Sequence, residues 1–476
     1  MNQLNQSKRI YFVGIKGVAM AALAVWAKEL GKVVAGSDVA EEFPTDEELK
    51  KTKIDVHEAF DETHLVAFKP DLVIYTGAHG GRDNPQVVYA KEHSITSFPH
   101  GQALGLAMAG KRRISVAGSH GKTTTSAMIA TILAEAGLDP SWAIGCGSIR
   151  GLGAAGHAGR GDWFIAEADE YVTDPGHDPT PRFLWQKPEV LVVTNIDFDH
   201  PDAYRDLAAV QQAFVRFQQN QGGQKLTVIN ADDPASSVLS HESNVVTFGH
   251  SREALYRVRD IRFTPGKTRV MVYKNQTRLG ELKLNVAGVH NALNAVAAVA
   301  VAGEIGISWE VIKRGLERFG GTKRRLEKLG EIRGALIYDD YAHHPKEIDA
   351  TIAAVRAWYR NNRLVVIFQP HTYSRTKALL SDFSHALAKA DIALITDIYA
   401  SARETQTDGG LVQQLVDGVK DCMPTAVYAP TVKEVSEELQ RKLKTGDVVV
   451  FMGAGDIYQW GRKIMNQSDK YYKSNK

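Results

Sequence analysis

Cysteine is scarce. Cys146 and Cys422 are the only two in 476 residues. They are too far apart to suggest a disulfide framework or a thiolate metal cluster. A reducing compartment fits such usage, and a cytoplasmic location is expected. Excess charge is also lacking. The 57 Lys+Arg and 55 Asp+Glu residues leave a formal net charge of +2. That gives no global field for nucleic acid or an anionic membrane, so neither is expected as a partner. No run of 18 uninterrupted apolar residues exists, and no spanning helix is expected. Lys8 and Arg9 precede an apolar stretch, Ile10 to Ala27, that superficially suits a leader. Lys16 and Gly17 interrupt it and Lys28 and Glu29 follow, so it reads as strand, tight turn and helix. Proline is sparse, 16 against 41 glycines, which points to backbone that approaches ligands rather than to rigid linkers. What is present is 44% hydrophobic, which excludes a wholly disordered chain. The length predicts about three domains.

Short apolar runs alternate with helix-like stretches. The strand candidates are Ile10 to Val13, Leu72 to Tyr75, Ile114 to Ala117, Phe164 to Ala166, Val190 to Val193, Leu364 to Phe368, Ile392 to Ile395 and Val448 to Phe451. Thr125 to Ala136 and Leu379 to Lys389 read as helices. Continuous apolar strands between helices imply parallel sheets covered on both faces, an α/β fold. Joins at Gly105 to Lys111 and at Gly320 to Thr322 divide the chain into 1–109, 110–322 and 323–476. The alternating run from Arg269 to Tyr273 predicts an antiparallel edge on the middle sheet. Met1 to Gln6 and Ser468 to Lys476 are polar and are expected to fray.

The sharpest motif is Gly118-Ser119-His120-Gly121-Lys122-Thr123-Thr124, between a predicted strand and a predicted helix. Two glycines let backbone N–H groups turn toward a phosphate, and the helix N-terminus adds positive potential. Lys122 reaches β- and γ-phosphates in such a loop, and the Thr123 hydroxyl suits Mg²⁺. The first glycine of the general pattern is replaced by Val116, so this is a shortened variant. Glu167-Ala168-Asp169-Glu170 and Asn195-Ile196-Asp197-Phe198-Asp199-His200 leave the next two strand candidates at their carboxyl ends, where hard oxygen ligands meet a phosphate loop.

Gly14-Ile15-Lys16-Gly17 after the first strand, with Ser37-Asp38 after the second, is a glycine-turned start suited to a pyrophosphate. It is not a dinucleotide fingerprint. Tyr338 to Pro345 carries Asp339, Asp340, His343 and His344. It lacks the i,i+4 histidine spacing of a zinc helix and reads as a substrate or nucleotide loop, or as a structural turn. Arg324, Arg325 and Arg375 are candidate anion-binding cations, with ordinary exposed arginines as the alternative.

Together these motifs, with His290-Asn291-Ala292-Leu293-Asn294 and Arg324-Arg325, resemble the Mur ligases, the ATP-dependent amino-acid ligases of peptidoglycan synthesis. The resemblance covers essentially the whole chain. It implies a Rossmann-like N-terminal domain for a UDP-sugar, a P-loop central domain for ATP, and a Rossmann-like C-terminal domain on the amino-acid side. ATP and Mg²⁺ are the implied cofactors. Gly118, Ser119, His120, Gly121, Lys122, Thr123 and Thr124 would cradle the phosphates. Thr123, Glu167 and His200 would hold the metal, and His290, Asn291 and Asn294 the adenine side. Arg325 and Asp340 would complete the nucleotide site, and with Lys122, Glu167 and His200 form the implied catalytic set. Gly14, Lys16, Gly17, Ser37, Asp38, His343, His344 and Arg375 would contact substrate. Gly14 to Met20, Asp340 to Pro345, Phe368 to Thr376, Ser401 to Glu404 and Gly453 to Asp456 are most similar to the branch that joins L-alanine to UDP-N-acetylmuramate. These two are the implied substrates, and the protein is expected as a monomer or homodimer. The alternatives are a sister branch that attaches a recycled tripeptide, a ligase for another scaffold, and a non-catalytic nucleotide-binding regulator. Two departures stand out: Tyr171 to Lys187 is longer than the family pattern, and Lys16 replaces a glycine.

Overall fold

The computed structural model describes residues 3–474 apart from 201, 242–243 and 401–408, so Ser401 to Glu404 lie outside the described residues. The chain forms two compact units. The first holds residues 1–261, 269–284 and 291–323; the second holds 262–268, 285–290 and 324–476.

The first unit opens on a five-stranded parallel sheet. Its spatial order is Asp55–His57, Val33–Ser37, Arg9–Val13, Leu72–Tyr75 and Thr96–Pro99. Apart from Arg9, the two central strands are apolar and buried, as parallel strands covered on both faces must be. Val18–Glu29 follows the first strand as a helix whose residues from Met20 to Ala27 are all buried. Its alanines permit close approach: a Cβ on Gly156 would lie 1.8 Å from the Ala22 carbonyl oxygen. Trp26 packs on Phe164 of the next sheet, with ring centroids 5.9 Å apart.

That next sheet has ten strands. Arg112–Ala117 lies between Val190–Val193 and Trp163–Glu167, parallel to both. The far edge is Tyr256–Thr264, Lys267–Lys274 and Thr277–Leu284. Links this short join only antiparallel neighbours, which accounts for the alternating polarity there. The long stretch from Tyr171 to Lys187 is a small hairpin, Val172–Asp174 paired antiparallel with Asp178–Pro181, followed by the 3-10 turn Arg182–Trp185.

The second unit is a six-stranded sheet. Its order is Glu327–Ile332, Ala335–Asp340, Val448–Met452, Leu364–Phe368, Ile392–Ile395 and Val427–Tyr428. Only the first pair is antiparallel. Pro345–Trp358, Leu380–Leu387 and Leu411–Cys422 bury Ile352, Phe383 and Leu415 on one face. Val432–Lys442 and Ile457–Ser474 bury Leu439 and Trp460 on the other.

One expectation about the termini is corrected, that for the amino terminus. Gln3–Gln6 is a short helix with Leu4 buried, and the last helix continues to Ser474. At the amino terminus the buried Leu4 anchors a polar stretch that composition alone reads as frayed. Among the described residues no helix is long and apolar enough to cross a membrane.

Candidate active site

The phosphate loop leaves the strand Arg112–Ala117 and enters the helix Lys122–Glu135. Gly118 and Gly121 have φ of 133° and 83°. Both are also crowded. A Cβ on Gly118 would sit 2.0 Å from Thr194 Oγ1, and one on Gly121 would sit 2.6 Å from Asn294 Oδ1. Loop and neighbouring strand end are stitched together. Ser119 N donates to the Asn195 carbonyl at 3.1 Å, His120 N to Asn195 Oδ1 at 2.9 Å, and Asp197 N to Ser119 Oγ at 2.8 Å. Thr124 is buried in the first helical turn. Asn291 and Asn294 stand on the first turns of the helix Val289–Glu304, and Asn294 donates to Asn291 at 3.1 Å. His290 is exposed beside them.

Two strand-end glutamates meet this loop. Thr123 Oγ1 lies 3.1 and 3.0 Å from the two Glu167 oxygens, and Gly145 N donates to Glu167 Oε2 at 2.9 Å. Burial pushes the Glu167 carboxyl up, with Lys122 opposing. Lys122 Nζ pairs instead with Glu170 Oε2 at 2.9 Å and donates to the Gly118 carbonyl at 2.6 Å. Burial works against this ammonium, but Glu170, Asp169 and Glu167 outweigh it and hold its pKa above the ordinary lysine value. His200 Nε2 lies 3.7 Å from Glu170 Oε1, a buried oxygen without a hydrogen-bond partner. Asp169, Glu170 and His200 each offer a ligand atom, all within 4.8 Å of one another. Burial raises the Asp169 carboxyl, and Arg182 at 3.0 Å, with Lys122, brings it below its usual range.

The turn at Gly14 sits at the carboxyl edge of the first sheet. Asp38 accepts from Lys16 N at 2.7 Å, and Lys16 Nζ donates to the carbonyls of Val39 and Glu41 at 3.0 and 2.9 Å. The Lys16 ammonium therefore ties the turn to the chain after the second strand. Ser37 Oγ donates to Gln86 Oε1. Gly17 precedes the helix Val18–Glu29. A cavity of about 220 Å³ opens beside that helix, lined by Ala19, His100, Glu167, Asp169, Arg182 and Gln186 among others.

In the second unit the paired arginines divide. The Arg324 side chain is 6% exposed, bonded to Asp339 at 3.2 Å and to the Gly453 carbonyl at 2.6 Å. It lies over the Tyr341 and Tyr458 rings. The Arg325 side chain is 37% exposed and pairs with Glu347 at 3.5 Å. Asp340 accepts from Leu326 N at 2.6 Å and Ala342 N at 2.8 Å, so it braces the strand end. Burial raises its pKa, with Arg325 opposing. His343 packs edge-on to His371, with centroids 5.9 Å apart, and His344 caps the helix Pro345–Trp358. Arg375 is half-buried on the short helix Tyr373–Ala378.

The chain matches the Mur ligase family over three stretches. They are the Mur ligase family catalytic domain at 9–112, the Mur ligase middle domain at 174–302, and the Mur ligase glutamate ligase domain at 324–455. It is 39% identical over 457 residues to the UDP-N-acetylmuramate–L-alanine ligase of Desulfitobacterium hafniense, covering 96% of this chain and 99% of that one. The chain belongs to the Mur ligase family. As a Mur ligase it is an ATP-dependent ligase. The ligase of the same description from Aquifex aeolicus is 37% identical over 463 residues, covering 97% of this chain and 98% of that one. Among solved structures, the UDP-N-acetylmuramate-alanine ligase of Thermotoga maritima has a TM-score of 0.82 at 28% identity, covering 98% of this chain and all of that one. A murein peptide ligase from Psychrobacter arcticus shares the fold, with a TM-score of 0.72 at 24% identity, covering 97% of this chain and 98% of that one. In this Mur ligase Glu170, Asp169 and Asn195, candidates in sequence only as members of their runs, each meet a partner at the site. Their signal was membership in the strand-end runs. Arg182 and His100 carried no local signal and emerge only from the packing.

Proposed function

We propose that this Mur ligase joins L-alanine to the lactyl carboxylate of UDP-N-acetylmuramate, using ATP and Mg²⁺, as a cytoplasmic monomer or homodimer. The similarity to L-alanine ligases along nearly the whole chain supports the substrates. The observation that carries the chemistry is the meeting of Lys122 and Thr123 with Glu167 and Glu170. The division at 109 and 322 belongs to this reading, with UDP-sugar, ATP and amino-acid functions in chain order.

A carboxylate does not accept an amine, because its resonance and charge repel nucleophiles. When a carboxylate oxygen takes the γ-phosphoryl group of ATP and ADP leaves, the carboxylate becomes an acyl phosphate with a good leaving group. The amine attacks that carbonyl and gives up a proton, and the tetrahedral intermediate expels phosphate to leave the amide. No covalent bond to the protein is needed. The chain's task is orientation and neutralisation of phosphoryl charge. Lys122 holds a full positive charge at the loop. Its ion pair with Glu170 keeps the ammonium fixed in place before a polyanion arrives. The backbone of residues 118–121 and the helix N-terminus hold phosphate oxygens.

The residues present fit a hard cation. Thr123, Glu167 and the unpartnered Glu170 oxygen are oxygen donors, with His200 and Asp169 beside them. Thr123, Glu167 and His200 are the ligands we assign, and Glu170 joins them. Bound there, the metal supplies neutralisation of phosphate charge. We assign Arg325 in the second unit to phosphate, and Arg375 with His343 and His344 to the amino acid.

Lys122→Ala tests this. Ligation should fall at least about 10³-fold, the scale of a lost electrostatic stabiliser, in a variant that stays folded but with a lowered unfolding midpoint, because the buried Glu170 carboxylate loses its cation. Near-normal turnover in that variant removes the phosphate-loop assignment.

A further inference from the structure

We propose that Asp174 is a positioning residue for the nucleotide-sugar acceptor: from the hairpin at 172–181 it fastens the turn that walls the crevice of the first sheet. This rests on the reading that the crevice takes UDP-N-acetylmuramate.

The turn is unusual in its backbone. His79, Gly80 and Gly81 are consecutive left-handed residues, with φ of 54°, 87° and 53°. A non-glycine residue rarely adopts that region, so neighbours must hold it there. Two do. Asn84 Nδ2 donates to the His79 carbonyl at 3.0 Å from within the loop. Arg82 N donates to Asp174 Oδ2 at 3.0 Å from the hairpin. Asp174 is 2% exposed and sits in a notch that only glycine leaves open. A Cβ on Gly81 would lie 2.0 Å from Asp174 Oδ1, and one on Gly77 would lie 2.6 Å from the Thr173 carbonyl oxygen.

The turn presents its other side to the crevice. In a sheet of this order the ligand crevice lies where adjacent strands send their connections to opposite faces, between Arg9–Val13 and Leu72–Tyr75. The loop lines that edge. His79 Nε2 lies 3.6 Å from Asp38 Oδ1, its ring packs on Phe60 at 5.1 Å, and Thr76 crowds Gly14. The hairpin root is tied in the other direction. Arg182 donates through Nε to the Val172 carbonyl and through Nη1 to Asp169, both at 3.0 Å. The inserted hairpin therefore gauges the separation between the sugar-side turn and the carboxylates beside Lys122. Losing Asp174 frees the turn but leaves the phosphate loop intact.

Steady-state kinetics of Asp174→Ala, Asp174→Asn and Gly81→Ala, varying UDP-N-acetylmuramate and ATP separately, test this. Asp174→Ala should raise KM for UDP-N-acetylmuramate about tenfold, with kcat and KM for ATP within about twofold, the scale of one hydrogen bond to a charged group. Asp174→Asn keeps an oxygen for the Arg82 N–H and should recover most of the loss. Gly81→Ala should reproduce the alanine profile from the opposite partner, and with the Asn variant it reads the same split if Asp174→Ala does not fold. An unchanged KM, a parallel rise in KM for ATP, or an Asn variant as impaired as Ala overturns the role of Asp174. A wild type that does not turn over UDP-N-acetylmuramate overturns the reading of the crevice and this inference with it.

Discussion

Arg324 and Arg325 are adjacent in sequence and opposite in duty. Arg324 is spent on Asp339, two backbone carbonyls and two tyrosine rings. Removing it strands a buried carboxylate, so Arg324→Ala should cost about 3–5 kcal/mol of stability. Arg325→Ala should leave the unfolding midpoint nearly unchanged and weaken ATP binding. Equal midpoints for the two variants in denaturant unfolding would contradict the division. Asp339 itself offers a pH test. Burial, against the pull of Arg324, pushes its carboxyl up from 3.8 to about 6. Folding thus favours the protonated form. The stability linked to it is full below about pH 4 and is lost as pH rises through about 6, on the order of 3 kcal/mol in all. Asp339→Asn does not ionise. Relative to the wild type it should gain stability between about pH 4 and pH 7, and a flat or falling difference over that window would count against this assignment.

At the scale of elements, the phosphate loop is set by its glycines as much as by its lysine. Gly118→Ala meets both a left-handed backbone and Thr194 Oγ1. It should cost about 1–3 kcal/mol. Gly31→Ala shares the positive φ, 81°, but faces open space, and should cost less. Equal thermal shifts in the two variants would mean that steric crowding adds nothing at the loop. The same loop marks what was legible in sequence. Its strand, glycines, Lys122 and strand-end carboxylates are local patterns, and all appear where their spacing predicts. The helix begins at Lys122 rather than Thr125, because Gly121 in the left-handed region lets the first turn start directly after it. Pairing was not legible. Glu167 and Glu170 lie in one run, and only the turn of the chain after the strand decides that Glu170 takes Lys122 while Glu167 takes Thr123. The partners of Lys16 are likewise set by the fold: its ammonium donates to the carbonyls of Val39 and Glu41.

For the whole molecule the claim is a reaction: one amide formed for each ATP cleaved, with L-alanine as the amine. A small side chain gives little binding energy, since one methyl group is worth about 1–3 kcal/mol, so selectivity must come from excluding larger amines. The most direct test incubates the purified protein with UDP-N-acetylmuramate, ATP and Mg²⁺. L-alanine and L-Ala-γ-D-Glu-meso-diaminopimelate are supplied together at equal concentration, and products are identified by mass spectrometry. UDP-N-acetylmuramoyl-L-alanine should be the main product, with one ADP and one phosphate per amide. A dominant tripeptide adduct, or ADP release without any amide, would contradict that claim.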